Sequence, residues 1–253
     1  MQRVLSFLRR ACDEYNLIED NDIIAIGVSG GKDSLVLLKA MALFSRFSPK
    51  KFTIKAITID MFAGKSDFSK IQKLCTDLNV EYHIVNSDIY QIVFEERKES
   101  NPCSLCSKLR RGMLNTKAIE LGCNKLALGH SSDDVLHTFL LSLFYEGRLS
   151  TFLPKLFMDR TGMTVIRPLI LADEKLIISA SKDLPITKSN CPADKNTKRE
   201  LVKNLIKTIQ KDIPIAKDRM FTAIIHPERY NLFDKAYNNK NYWNTNKEKT
   251  PKN

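Results

Sequence analysis

A chain of 253 residues with 43% hydrophobic side chains is long enough for one large domain, or a domain with an appendage, around a substantial core. Its 40 Lys and Arg against 29 Asp and Glu leave a formal charge of +11, which points to a polyanionic partner more readily than to a neutral small molecule, although lysine-rich surfaces are also ordinary solvated ones. No apolar run reaches the roughly 18–20 residues that span a bilayer, and the N-terminus interleaves charge with apolar residues unlike a signal peptide, so the expectation is a soluble, cytoplasmic protein without a membrane partner.

Residues 1–20 open with an amphipathic helix: Val4, Leu5, Leu8, Ala11, Cys12, Tyr15 and Leu17 fall mostly on one stripe. An apolar, β-branched run at 23–28 then leads through Ser29, Gly30, Gly31, Lys32, Asp33 and Ser34 into an apolar helix. Strand, small-residue turn and helix start in that order make an anion site, because the first N–H groups of a helix lack internal partners and carry partial positive charge. Gly30 and Gly31 let the backbone approach a phosphate, Ser29 and Ser34 add hydroxyls, and Lys32 adds a point charge. The spacing is not that of a Walker A loop. S-G-G-x-D-S after a strand resembles the PP-loop of enzymes that split ATP between its α and β phosphates.

A second strand, 52–60, alternates with period two and ends in Asp60. That acid is placed to meet a ribose or a metal ion, or is simply a loop acid or helix cap. Helix 66–78 and a third strand, 80–85, follow. Strands alternating with helices argue for a mostly parallel sheet between helices, a Rossmann-like α/β domain over 21–185.

After a break at Pro102, Cys103 and Cys106 stand at the mouth of a helix that runs to about 121, where the helix terminus, Lys108, Arg110 and Arg111 favour thiolates. A fourth strand, 125–128, ends at Gly129, His130, Ser131, Ser132, Asp133 and Asp134. The apolar helix that follows, to 145, is expected to be buried. Asp133 and Asp134 suit its macrodipole; beside a phosphate loop, Asp134 is also placed to hold Mg²⁺. Residues 147–162 read as loop, and 164–169 as a fifth and last strand. Helix 173–182 leads to Cys191 in a loop and to a basic helix with Lys195, Lys198, Arg199 and Lys203, which is either a wet face or a contact for nucleic-acid phosphates. The extension 186–237 ends in an Asn- and Lys-rich tail, 238–253, expected to be disordered.

Six cysteines in a cytosolic chain are metal ligands or buried thiols rather than a disulfide framework. Cys103 and Cys106 lack a second close pair for structural zinc. With Cys191 they suit a cubane iron–sulfur cluster that leaves one iron without a protein ligand; zinc, a redox dithiol and unrelated thiols remain as alternatives on spacing alone.

The motifs S-G-G-K-D-S at 29–34, C-S-L-C-S-K-L-R-R-G at 103–112, G-H-S-S-D-D at 129–134, L-F-Y-E-G-R-L at 143–149, V-I-R-P-L at 165–169 and C-P-A-D-K-N-T-K-R-E at 191–200 resemble, in order, the tRNA 2-thiocytidine synthetase family. The resemblance implies a [4Fe-4S] cluster on Cys103, Cys106 and Cys191, and roles at the ATP site for Arg110 and for Asp134 or Asp133. It also implies ATP and Mg²⁺ as cofactors, tRNA as substrate, sulfur from a cysteine desulfurase or free sulfide, and a possible homodimer. The expected reaction adenylates the C2 oxygen of a cytidine, at position 32, and replaces it with sulfur. Two rival readings are a PP-loop ligase or amidotransferase of the lysidine synthetase kind, which needs no three cysteines, and a non-catalytic metal-stabilised RNA-binding protein, which leaves the phosphate loop unexplained.

Overall fold

The computed structural model describes residues 1–97, 102–187, 198–230 and 232. Strands β1 (Asp22–Gly27), β2 (Phe52–Asp60), β3 (Glu81–Asn86), β4 (Lys125–Ala127), β5 (Lys155–Met158) and β6 (Met163–Ile166) form one sheet in the order β3-β2-β1-β4-β6-β5. Neighbours are parallel except β5, which runs antiparallel to β6. The sheet thus has one strand more than the five read from the sequence. The extra strand falls in the stretch taken for loop, because its adjacent Leu156 and Phe157 are both exposed and no period-two signal survives. It reverses into β6 through Gly162, whose φ of 65° lies in the left-handed region that glycine adopts without strain.

The helices of the described residues are α1 (Gln2–Glu14), α2 (Lys32–Phe44), α3 (Ser69–Leu78), α4 (Pro102–Glu120), α5 (Ser132–Glu146), α6 (Glu174–Ala180), α7 (Lys198–Asp212) and α8 (Ala216–Ile225), with a π-helical turn over Gln91–Glu96. Helix α2 is apolar nearly all round and packs on α1, α3, α6 and the β1 and β2 strands. Leu35, Leu37, Leu38 and Met41 are fully buried there, each contributing roughly 1.5–3 kcal/mol. Helix α5 departs from its expected burial: Val135, Leu136 and Leu140 are inside, but Phe144 and Tyr145 of its last turn are about half exposed.

The core also encloses an ion pair. Lys125 Nζ lies 2.7 Å from Asp22 Oδ2, with both side chains almost fully buried. Asn124 Nδ2 donates to Asp22 Oδ1 at 2.7 Å and Lys125 donates to the Leu17 carbonyl at 3.1 Å, so the pair is hydrogen-bonded as a buried charge must be.

Two compact units divide the chain at residues 207 and 208. The sheet, α1–α6 and the first part of α7 make up the first; the end of α7, α8 and a short 3-10 turn at Pro227–Arg229 are the described elements of the second. Cys191, Lys195 and the tail 238–253 lie outside the described residues. No helix among the described residues is long and apolar enough to cross a membrane.

The topology decides where ligands go. β1 has β2 on one side and β4 on the other, so chain connections part at its C-terminal end and a crevice opens there. The turns after β1 and β4 meet in that crevice. A Cβ at Gly129 would stand 2.9 Å from the Asp33 carbonyl oxygen, so only glycine allows the approach.

Candidate active site

The loop after β1 is braced from within. Ser29 N–H donates to Ser34 Oγ at 3.1 Å, Gly31 N–H to Ser29 Oγ at 3.4 Å, and Ser34 Oγ–H to the Gly31 carbonyl at 2.9 Å. Gly31 is the N-cap of α2 and provides no side-chain cap. The helix start therefore offers backbone N–H groups to an anion. Gly30, at φ 81°, is closed over by Thr187, whose N–H donates to the Gly30 carbonyl at 3.0 Å and whose hydroxyl reaches the same oxygen at 3.3 Å.

A cleft of about 290 Å³ adjoins this loop, lined from the loop by Val28, Ser29, Asp33 and Ser34, from β2 by Ile57 and Ile59, from the β4 turn by Leu128, Gly129 and His130, and from α4 by Ser107, Arg110, Arg111 and Leu114. Helix α4 thus enters the cleft with Arg110 while carrying Cys103 and Cys106 on its first turns. Cys103 is exposed and Cys106 half-buried, its thiol 3.5 Å from the Met61 Sδ. Cys12, Cys75 and Cys123 are packed in the core instead. Burial pushes the Cys12 thiol up to about 12 and that of Cys75 to about 11, so both stay protonated.

His130 is held neutral. Burial first, and the neighbouring Arg167 second, push its imidazole down to about 4. Arg167 Nε donates to His130 Nδ1 at 3.3 Å, which leaves the proton on Nε2 as a hydrogen-bond donor. Arg167 is itself fixed by the Leu153 carbonyl at 2.6 Å and by the Phe152 ring at 4.8 Å; burial lowers its guanidinium to about 10, which still leaves it charged at neutral pH.

Charged side chains gather at the loop. Lys32 Nζ is 3.0 Å from both oxygens of Asp33 and 3.2 Å from Glu174 Oε1. Burial works against its charge, but Asp33 and Glu174 outweigh that and raise its pKa. Asp33 is raised in turn, by burial and by nearby Asp134. Asp134 forms a capping box with Ser131: its Oδ2 accepts the Ser131 N–H at 2.9 Å, and its own N–H donates to Ser131 Oγ at 3.3 Å. Its Oδ1 lies 3.4 Å from Arg199 Nη1. Asp133, by contrast, accepts the Glu174 N–H at 2.7 Å and serves the start of α6.

The structure therefore gathers Ser29 to Ser34, Gly129, His130, Asp134 and Arg110 around one crevice. Asp60 ends β2 one residue after the cleft-lining Ile59; buried, it accepts the Ser66 hydroxyl at 2.6 Å and the Phe62 N–H at 3.0 Å. Its carboxyl is held below its ordinary value because these bonds outweigh the cost of burial. Lys198 stacks over Tyr145 at 4.2 Å, while Arg199 and Lys203 turn toward Asp134 and Glu174. Sequence reasoning missed Glu174, Thr187 and the role of Arg167. Glu174 reads as an ordinary first-turn acid, and nothing local marks its contact with a lysine 142 positions earlier.

Among the described residues no three His, Cys, Asp or Glu side chains form a complete metal cage. Cys103 and Cys106, three apart on one helix, offer two soft ligands on one face. Asp134, with Asp33 beside it, offers hard oxygen of the kind Mg²⁺ shares with phosphates.

A family model described as the PP-loop domain matches residues 4–213. The chain is 35% identical to the tRNA-cytidine(32) 2-sulfurtransferase of Citrifermentans bemidjiense, over 94% of this chain and 95% of that one. It is 37% identical to the enzyme of the same name from Pseudomonas aeruginosa strain LESB58, over 93% and 89%. Its fold matches the U34-tRNA thiolase of Methanococcus maripaludis, solved with its [4Fe-4S] cluster, at a TM-score of 0.71 and 25% identity, covering 92% of this chain and 80% of that one. Phosphate loop, arginine-bearing cysteine helix and sequence relatives agree, and the chain belongs to the PP-loop family of tRNA-cytidine(32) 2-sulfurtransferases.

Proposed function

We propose that this chain is an ATP-dependent tRNA sulfurtransferase that replaces the C2 oxygen of cytidine 32 with sulfur. One observation carries the reading: α4 lines the crevice of the phosphate loop with Arg110 and bears Cys103 and Cys106 one to two turns earlier on the same helix. A ligase of the lysidine kind has use for the loop but not for the thiols.

A carbonyl oxygen is a poor leaving group. When the C2 oxygen attacks the α phosphorus of ATP, pyrophosphate departs and that oxygen becomes part of AMP, which leaves with the C–O bond electrons as hydrosulfide adds to C2 and loses its proton. The N-terminus of α2, Ser29, Ser34 and Lys32 hold the phosphates, and Asp134 holds Mg²⁺. Arg110 neutralises the charge that grows on the departing adenylate oxygen. His130, neutral through the physiological range, donates from Nε2 without adding charge to the site.

Cys103, Cys106 and Cys191 would hold a [4Fe-4S] cluster, which would supply sulfur at the sulfide level for the transfer, drawn from a cysteine desulfurase or free sulfide. Thr187 supports this ligand set, for it is tied to Gly30 only four residues before Cys191, and four residues of chain reach at most about 14 Å. The tRNA presents its base from a single-stranded loop, where splaying is cheap, and Lys195 and Lys198 hold backbone phosphates. The enzyme works with its tRNA in the cytoplasm.

Anaerobic reconstitution tests the assignment. Cys191→Ala should lose cluster absorbance and tRNA thiolation while still binding ATP. Full thiolation by that variant, or a wild-type protein that takes up no iron and sulfide, refutes it.

A further inference from the structure

Three cations and three carboxylates interleave around the phosphate loop. Lys32 Nζ sits between Asp33 and Glu174, Lys203 Nζ lies 3.5 and 3.4 Å from the Glu174 oxygens, and Arg199 bridges Asp134 Oδ1 at 3.4 Å and Thr138 Oγ1 at 3.5 Å. Arg199 and Lys203 are one helical turn apart on α7 and share a face. Buried Val202 and Ile206 hold that helix in place. Yet the contacts are longer than the 2.7–2.9 Å typical of charge-assisted bonds, and both cations remain a third to a half exposed. Such pairs are worth little and exchange partners cheaply. An RNA contact would face outward; these two side chains face the acids of the nucleotide site.

Splitting ATP between its α and β phosphates releases pyrophosphate, which carries several negative charges. One lysine and one helix terminus are a sparse complement for it. We propose that Arg199 and Lys203 bind the β and γ phosphates of ATP and hold the departing pyrophosphate, with Glu174 and Asp134 occupying the cations until the nucleotide arrives. The inference rests on the nucleotide reading above. It also gives the carboxylates a second use, since Asp134 released from Arg199 is free for Mg²⁺. Sulfur delivery does not depend on Arg199 or Lys203 in this scheme. The two cations act at the leaving-group end.

Calorimetric titration of the full chain tests it, with Arg199→Gln, Lys203→Gln and Glu174→Gln variants that keep the helices intact. Each cation variant should bind Mg-ATP and Mg-pyrophosphate about tenfold more weakly, bind AMP within about threefold of wild type, and bind tRNA within about twofold. E174Q should bind metal-free pyrophosphate several-fold more tightly at low salt, because the competing carboxylate is gone; a merely structural Glu174 would not produce that gain. Unchanged Mg-ATP and Mg-pyrophosphate affinity in both cation variants, or an equal loss for AMP, overturns the inference. So does a loss confined to tRNA, which would return α7 to RNA binding. A wild-type chain that binds neither ATP nor pyrophosphate overturns the nucleotide reading itself, whereas intact wild-type binding with unaffected variants overturns this inference alone.

Discussion

Replacing Gly30 by alanine tests how the phosphate loop is closed. At φ 81° a side chain costs about 1–2 kcal/mol of backbone strain. The new Cβ would also stand 2.0 Å from Thr187 Oγ1 and 3.3 Å from Thr187 Cβ. The hydroxyl must rotate away, giving up its 3.3 Å bond to the Gly30 carbonyl, a loss of about 1 kcal/mol. The Thr187 N–H bond to that carbonyl is the contact that survives. Gly30→Ala should therefore destabilise the chain by about 2–3 kcal/mol, read as a lower urea midpoint at unchanged slope. In a Thr187→Ala background the hydroxyl contribution is already absent, so the same substitution should cost only the strain, about 1–2 kcal/mol. Wild-type stability in G30A, or an identical cost in both backgrounds, refutes the contact between these two segments as the reason for the glycine.

Three further outcomes are expected. His130 sits near 4 when folded against an ordinary 6.5, so between those pH values the unfolded chain binds the extra proton. Stability falls as pH drops through that window, by up to about 1.4 kcal/mol per unit; urea melts from pH 7 to 5 should show a shallower decline in His130→Asn, and parallel declines would contradict the assignment. Lys125→Met leaves Asp22 buried without its cation and should cost about 3–5 kcal/mol, part of which a second change, Asp22→Asn, restores; thermal melts of the single and double variants decide. Arg110→Ala should lower tRNA thiolation by about 10²–10³ with iron content intact, checked by nucleoside mass spectrometry beside iron analysis; a parallel loss of iron would make Arg110 a support of the cysteine helix instead.

Much of this was legible because it is local. A β-branched run, two glycines and an apolar helix start predict the phosphate loop wherever they occur together, and seven residues on one helix join Cys103 to Arg110 without any tertiary knowledge. The α/β sheet followed from alternating periods of two and 3.6. The misreadings share a different cause. β5 is a short edge strand whose exposed Leu156 and Phe157 erase the alternation, and the last turn of α5 is apolar yet open to solvent. Glu174, Thr187 and the inward turn of Arg199 depend on partners 65 to 157 positions away, and such meetings leave no mark in any short window of sequence. Asp60 was legible by position only: a strand end suggests either a ligand contact or a loop acid, and the bonds to Phe62 and Ser66 come from the packing of the loop that follows.

Helix α4 is a yardstick. Cys103 and Arg110 are separated by two turns of one continuous helix, a span of about 10 Å that side-chain changes on its outer surface leave alone. Inserting a single residue between Cys106 and Arg110 would swing the guanidinium about 100° around the axis and lengthen the span by only about 1.5 Å. Evolution on this scaffold is consequently free to respell the exposed positions of that segment but not to change how many there are.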